Sequence, residues 1–359
     1  MKYKWNKDCK SFPGTYSCEV MTSEQYKDCK DCKFYETISK KILIIKLGAI
    51  GDVLRTTPIL KSLKEKYGNN IHVTWLVHEE SKDMLKSNKL IDRILVYNLD
   101  NILRLENEKF DILLSLEVDV PGTAIATIIK ADKKYGYFLD RDGNPNYFNE
   151  KAKFYLERVF SNYINKNNRK NQLEMLHEII ELPYKQQDYI LNLSGSELIY
   201  GNKFRKNKLI GINIGSGLRW RNKTIHKETL IDLIRLLKKE YNVLLLGGNQ
   251  EKYLLEELRN KLRVNINNSE NTLREFASVM NACDYIITGD TLALHLALAL
   301  KKKTIALFFC TPDWEIENFS YLKKVTSPLM LNNFFSDEYS EELVKSISPD
   351  EIIKKIKEF

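Results

Sequence analysis

The sequence predicts an α/β protein made of two doubly wound lobes, each a parallel sheet covered by helices, with a small cysteine-rich module in front. Three observations lead there. From Lys41 onward, short apolar runs rich in β-branched residues alternate with helical or polar stretches. Parallel strands buried on both faces and joined by crossover helices give this pattern. The alternation lapses over residues 140–206, which are rich in Asn, Lys and Tyr, and restarts at Lys208, so it is used twice. Four cysteines, Cys9, Cys18, Cys29 and Cys32, crowd the first 32 residues, where no hydrophobic period is sustained. At ~150 residues per domain, 359 residues with 43% hydrophobic content allow two ordinary cores and an extra piece.

Taken in order, residues 1–38 are the cysteine module. The first lobe, residues 39–195, holds strands ILIIKL (42–47), IHVTWLV (71–77), RILVY (93–97) and DILLSLE (111–117). Segments such as LRTTPILKSLKEKY separate them. A helix is expected over Gln172 to Glu181, and residues 185–206 are the candidate linker. The second lobe, residues 196–345, opens with strand KLIGINIG (208–215) and the amphipathic helix HKETLIDLIRLLKKEY (226–241). Strand NVLLLGG, a helix from Gln250, strand VNIN, a helix from Thr272, strand YIITGD, a helix through His295 and strand KTIALFF follow. Residues 346–359 end the chain in a helix. Its start is Ser348-Pro349-Asp350-Glu351, with Ser as N-cap, Pro in the first turn and Glu three residues after the Ser.

Lys and Arg exceed Asp and Glu by 8, spread along the chain. That excess aids solubility. It also fits an anionic partner, either a phosphorylated ligand or the inner face of a membrane. The most apolar stretch, residues 292–309, is interrupted by His295 and Lys301–Lys303 and is too broken to span a bilayer. MKYKWNKDC lacks the apolar core of a signal peptide, so the cytoplasm is the expected compartment.

Candidate chemistry lies at strand ends, because open α/β sheets bind ligands beyond the carboxyl ends of their strands. LGAIGDVLRTTP follows the first strand. Gly48 and Gly51 permit a tight turn and close approach. Asp52 falls at a helix start, where the dipole favours its charged form by ~0.3–1 kcal/mol. A carboxylate held there can take a proton from a hydroxyl, or it can simply cap the helix. INIGSGLRWRNKT follows the first strand of the second lobe. Its Ser216–Gly217 loop and the cations Arg219, Arg221 and Lys223 suit a diphosphate. An ordinary solvated basic loop is the alternative. In YIITGDTLALHLALAL, Asp290 and Thr291 occupy a helix N-cap region and His295 lies one turn in. Alone, His295 reads as a core histidine. Gly247–Gly248 with Glu251 is a further strand-end turn, placed to meet a nucleoside or merely to connect.

In order and spacing, IKLGAIGDVLRTTPIL, INIGSGLRWRNKTIHKETL, VLLLGGNQEK, LREFASVMNACDYIITGDTLALHLALAL and TIALFFCTPDW resemble glycosyltransferase family 9. These are the ADP-heptose:lipopolysaccharide heptosyltransferases and their relatives, and the resemblance covers residues 41–359. It implies a GT-B fold of two Rossmann-like lobes facing a cleft, the first for the acceptor and the second for the nucleotide-sugar. It implies inverting transfer without a catalytic divalent metal. Asp52 matches the catalytic aspartate, with Gly48 and Gly51 in the acceptor-side loop. Lys223, Asp290, Thr291 and His295 match donor- and phosphate-binding positions, Glu251 roughly matches the acidic residue near the nucleoside, and the Ser216–Gly217 loop is placed on the same donor side. The implied partners are a nucleotide-sugar, ADP-heptose first, and a glycan, lipid-linked glycan or protein acceptor, with no nucleic acid and with peripheral contact at the inner membrane surface. Three positions depart from the family pattern. Leu292 replaces the Gly after Asp-Thr. Lys223-Thr224-Ile225-His226 replaces Lys-x-Trp-Pro. Phe309-Cys310-Thr311-Pro312-Asp313 replaces a Gly-Pro-Thr-Asp-Pro-like turn. Leu292 favours a rival reading, a non-catalytic nucleotide-sugar-binding protein on a degenerate scaffold. Another GT-B enzyme, such as an epimerase, is a third.

Cys29-x-x-Cys32 reads as one metal knuckle, and Cys9 and Cys18 supply two more thiolates. Four sulfurs without a nearby His fit a closed, structural tetrahedral site. Zinc is the first assignment. Iron is the second, since some family members that glycosylate bacterial surface proteins carry a four-Cys iron site elsewhere in the chain. An iron–sulfur cluster is third, and unligated thiols are the alternative. Cys283 and Cys310 read as packing residues.

Overall fold

The computed structural model describes residues 3–217 and 219–359. The first two positions of the cysteine module and Leu218 of the GSGLRWRNK loop lie outside the described residues. Both lobes are present. The first sheet contains β1 (Lys40–Ile45), β2 (Ile71–Val77), β3 (Arg93–Val96), β4 (Lys109–Ser115), β5 (Lys130–Leu139) and β6 (Pro145–Tyr147), in the order β3-β2-β1-β4-β5-β6. All pair in parallel except β6, which runs antiparallel to β5. The second sheet contains β7 (Leu209–Asn213), β8 (Asn242–Leu246), β9 (Asn265–Ile266), β10 (Tyr285–Gly289), β11 (Lys303–Phe308) and β12 (Leu322–Thr326). Its order is β12-β11-β10-β7-β8-β9, parallel throughout. Strand order reverses between β1 and β4 in one lobe and between β7 and β10 in the other. A doubly wound sheet opens its ligand crevice at such points, beyond the carboxyl ends of the strands.

The central strands follow the apolar runs. Ile42, Leu43, Ile44 and Ile45 are all fully buried. Trp75 on β2 is fully buried too, and its Nε1 donates to the Lys46 carbonyl at 3.1 Å. Three strands had no signature in the sequence. β5 (KADKKYGYFL), β6 (PNY) and β12 (LKKVT) keep several side chains partly in water. A strand that is not buried on both faces has no reason to be continuously apolar.

Residues 182–194 cross between lobes without regular structure. The second half of the expected linker is instead helical, Gly195–Asn202, started by a Ser194–Glu197 capping box. That helix packs on the Leu273–Ala282 helix of the second lobe. The chain ends in the helix Pro349–Lys357, whose Ser348–Glu351 capping box matches the sequence signature. It lies against the Lys227–Leu237 helix and β12.

The lobes are held closely together. One apolar cluster runs from Ile42 and Leu54 of the first lobe to Leu294 and Phe308 of the second. Arg274 is buried, and its guanidinium binds Glu197, the Asp83 carbonyl at 2.8 Å and the Asn192 carbonyl at 2.6 Å. Arg158 pairs with Glu315 at 3.2 Å, and Asn171 donates to Glu317 at 2.8 Å.

The N-terminal segment folds on itself through Lys10 N to Glu36 O and Ile38 N to Asp8 O, both 2.8 Å. Lys10 reaches Asp92 at 3.2 Å and the Asn69 carbonyl at 3.3 Å, and Arg104 donates to the Pro13 carbonyl at 3.2 Å. Asn69 and Asp92 immediately precede β2 and β3. The segment therefore docks at the amino ends of the first sheet, away from the crevice. Among the described residues, no helix is long and apolar enough to cross a membrane.

Candidate active site

After β1 the chain turns through Lys46–Ala49 into the helix Ile50–Thr56. The N-cap is Ala49, with no side-chain cap bond. Asp52, in the first turn, is thus not the cap. Its Oδ1 lies 2.9 Å from Arg55 Nε. Burial alone would raise its pKa, but Arg55, then Lys46, outweigh burial and hold the carboxyl below the usual range. The Asp52 side chain is 35% exposed, so an ionised carboxylate stands open at the crevice.

A residue from the neighbouring strand end grips this turn. Glu117, just beyond β4, is buried, and its Oε1 accepts from Leu47 N at 2.7 Å, Gly48 N at 3.1 Å and Lys46 Nζ at 3.0 Å. Burial raises the Glu117 pKa against the opposing pull of Lys46.

The second lobe presents cations and helix-start amides. Asn213, the last residue of β7, donates to Gly215 O at 2.8 Å and to the hydroxyls of Thr288 at 3.2 Å and Thr291 at 3.3 Å. Gly217 turns the following loop at φ +72°, and the Ser216 hydroxyl contacts its carbonyl at 3.4 Å. Lys223 Nζ lies 3.1 Å from Asp290 Oδ2. Burial would raise the Asp290 pKa, but Lys223 prevails and lowers it. Gly289 is needed here, since a Cβ would overlap the Lys223 carbonyl oxygen. Trp220 stands 5.0 Å from Lys223 Nζ and 5.1 Å from the Arg219 guanidinium. Thr291 is the N-cap of the helix Leu292–Ala299 and makes no side-chain cap bond. Leu292 packs against the apolar cluster. Glu251 closes the turn after β8, accepting from Gly248 N at 2.9 Å. A Cβ on Gly215 would come within 2.8 Å of its carboxyl group, so Glu251 borders the same loop.

The two halves meet at His295. Its ring lies against Gly51, where an added Cβ would sit 2.5 Å from His295 Cδ2, and it stacks on Tyr189 with centroids 6.1 Å apart. Burial, then Arg55, pushes its pKa down to about 4, so the ring is neutral. Its buried Nδ1 has no hydrogen-bond partner among the described residues. His295 is therefore buried between lobes, not inside one core. The structure brings Asp52, Lys223, Asp290, Thr291 and His295 together, with Ser216, Gly217 and Glu251 along the second-lobe loop. Gly48 sits behind, near His78. Arg55, Lys46, Glu117, Tyr189, Arg158 and Glu315 had escaped sequence reasoning. Glu117 had a usable signal: it ends the run DILLSLE, a charged residue at the carboxyl end of an apolar strand, as Asp52 nearly is.

A carboxylate that can accept a proton faces groups that can stabilise a departing anion. Two doubly wound lobes opposed in this way have a GT-B-like architecture. A model of glycosyltransferase family 9 (heptosyltransferase) matches residues 101–333, well over half the chain. The chain belongs to that family and is a glycosyltransferase. It is 25% identical over 350 residues to lipopolysaccharide heptosyltransferase 1 of Campylobacter coli, covering 89% of this chain and 98% of the relative. Its fold matches a family 9 glycosyltransferase from Veillonella parvula at TM-score 0.72 and 19% identity, over 90% of this chain and 98% of the other. It also matches ADP-heptose lipopolysaccharide heptosyltransferase II of E. coli at TM-score 0.64 and 15% identity, over 89% and 98%.

Proposed function

We propose that the protein transfers a heptose from ADP-heptose to a hydroxyl of a lipopolysaccharide acceptor, with inversion at the anomeric carbon. The meeting of ionised Asp52 with Lys223, Asp290 and His295 across the lobes carries this reading. Family membership and the activities of the relatives support the substrate pair. Asp52 takes the acceptor O–H proton while that oxygen attacks the anomeric carbon. The bond from that carbon to ADP breaks, and ADP leaves with the electron pair. Lys223, the Ser216–Gly217 loop and the amides after Thr291 stabilise the diphosphate as its charge develops. Glu251 borders the nucleoside side. Leu292, half-buried against the apolar cluster, gives little support to the non-catalytic rival. Asp52→Asn should lower turnover ~10²–10⁴-fold, the usual share of general-base help, with the protein still folded and only a modest drop in melting temperature from the lost Arg55 pair. Near-normal transfer by that variant would overturn the base assignment. Thermal stabilisation of the native protein by ADP-sugars checks the donor.

We assign the N-terminal module, residues 1–38, one structural metal ion, zinc first and iron second. In support, Cys9, Cys18, Cys29 and Cys32 line one cavity of about 10 Å³, and none forms a disulfide. Among the described residues no three ligating side chains already form a metal cluster, so binding needs the sulfurs to turn inward. One equivalent of metal in protein purified without chelator is expected. Cys29→Ser with Cys32→Ser should release it and lower the melting temperature while donor affinity holds, because the module docks away from the crevice. Metal-free native protein with four freely titrating thiols would refute the site.

For the acceptor's lipid anchor, we infer docking on an anionic inner-membrane surface through Val159, Phe160 and Tyr163, which are 59%, 66% and 80% exposed. Lys153, Lys166 and Arg169 flank them in the sequence. Arg169 borders the second lobe, 4.4 Å from the Trp314 ring. Apolar side chains among cations suit such an interface. Phe160→Ser with Tyr163→Ser should abolish co-sedimentation with phosphatidylglycerol vesicles. Unchanged sedimentation would count against the face.

A further inference from the structure

We propose that Glu117 is a positioning residue for the transfer step, fixing the turn that carries Asp52 and neutralising the cation behind it. The inference rests on Asp52 being the base. Glu117 comes from the end of β4, the strand beside β1 at the point where strand order reverses. One of its oxygens accepts from three consecutive residues, Lys46 Nζ, Leu47 N and Gly48 N, at 2.7–3.1 Å. These residues lead directly into the helix of Asp52.

The other side of the turn is held from β2. The Lys46 carbonyl accepts from Trp75 Nε1 at 3.1 Å, and the Leu47 carbonyl accepts from His78 N at 3.0 Å. The Lys46 amide also donates to the Leu76 carbonyl at 3.3 Å, so β2 and Glu117 pin the turn from two sides, and Glu117 holds the Leu47 and Gly48 amides. Glu117 is itself confined. Its side chain is only 11% exposed. The helix Val120–Ile128 presses so closely that a Cβ on Gly122 would come 2.5 Å from Glu117 Cβ. A buried carboxylate is costly unless it is paired and fully bonded. Placing one here makes sense if the turn must be held to a fraction of an ångström.

Charge gives the second reason. Asp52 feels Arg55 from its own helix, Lys46 from the end of β1, and His295 and Asp290 from the second lobe; Glu315 and Tyr189 also face it. Glu117 offsets Lys46 at 3.0 Å. Without that offset the full Lys46 charge falls on Asp52 and weakens it as a base.

Glu117→Gln keeps the shape and one acceptor oxygen but drops the charge. It should lower kcat ~10–100-fold, as small misplacements at a reacting centre do, while the Kd for ADP stays within about twofold. In an Asp52→Asn background the same change should cost nothing further, because its effect runs through Asp52. A multiplicative loss in the double variant would show a role independent of Asp52 and overturn the inference. Full turnover by Glu117→Gln beside a crippled Asp52→Asn overturns the positioning role alone, whereas full turnover by Asp52→Asn overturns the base assignment. If Glu117→Gln fails to fold, Lys46→Met tests the electrostatic part. It should move the acidic limb of the kcat–pH profile upward, and an unmoved limb would refute it.

Discussion

At the residue scale, Lys223 shows how charge and position combine. It stands against Asp290 at 3.1 Å beside Trp220, and both charged side chains are largely buried. An arriving diphosphate offers Lys223 a second, stronger anionic partner. A hydrogen bond to a charged group is worth ~1.5–3 kcal/mol, so Lys223→Met should weaken ADP binding about 10–100-fold by calorimetry. Unchanged affinity would remove Lys223 from the phosphate site. Asp52 teaches a related lesson. Its place in a first helical turn suggested a cap, yet Ala49 is the N-cap and the carboxylate is turned to Arg55. The local pattern located the residue, and its neighbours defined its state.

At the element scale, the Ile50–Thr56 and Leu292–Ala299 helices meet through the smallest possible contact, Gly51 against the His295 ring. A larger side chain at residue 51 must push the lobes apart. Gly51→Val should therefore destabilise the protein by ~1–3 kcal/mol, the usual cost of overpacking, and reduce turnover. Adding His295→Ala should restore much of the stability in a melting experiment, and failure to do so would mean that the two helices do not touch there. Other elements differ in legibility. β1 and β4 were readable because both faces are buried. β5 and β12 were not, because their partly wetted side chains break the apolar run. The Gly195–Asn202 helix was read as linker. Its capping residues Ser194 and Glu197 were in plain view, but its apolar content is modest and its packing on Leu273–Ala282 is tertiary.

At the scale of the whole molecule, the interlobe contact makes stability depend on pH. His295 has a folded pKa of about 4 against an ordinary histidine value of 6.5. As pH falls through 6.5, the unfolded chain takes up a proton that the folded one refuses. Stability is then full above pH 6.5 and declines until pH 4, with roughly 3 kcal/mol at stake for this one group. His72 and His177, also lowered by burial, act in the same direction. The carboxyls of Asp52 and Asp290, lowered by their cationic neighbours, add losses only at still more acid pH. Denaturant melts at pH 7 and pH 4.5 should differ, and His295→Gln should narrow the gap. An equal gap in that variant would mean that His295 is not the buried neutral group.

The sequence alone determined the two doubly wound lobes, the family and the strand ends where the chemistry gathers. It could do so because buried strands, crossover helices, caps and short glycine turns are written in local order. Only the tertiary structure decided which of those ends face one another. It paired Lys223 with Asp290, set His295 between the lobes and put Glu117 behind the Asp52 turn. It also docked the cysteine segment at the amino ends of the first sheet, away from the crevice. Those choices depend on packing between residues about 60 to 245 positions apart, and no short window along the chain contains both partners.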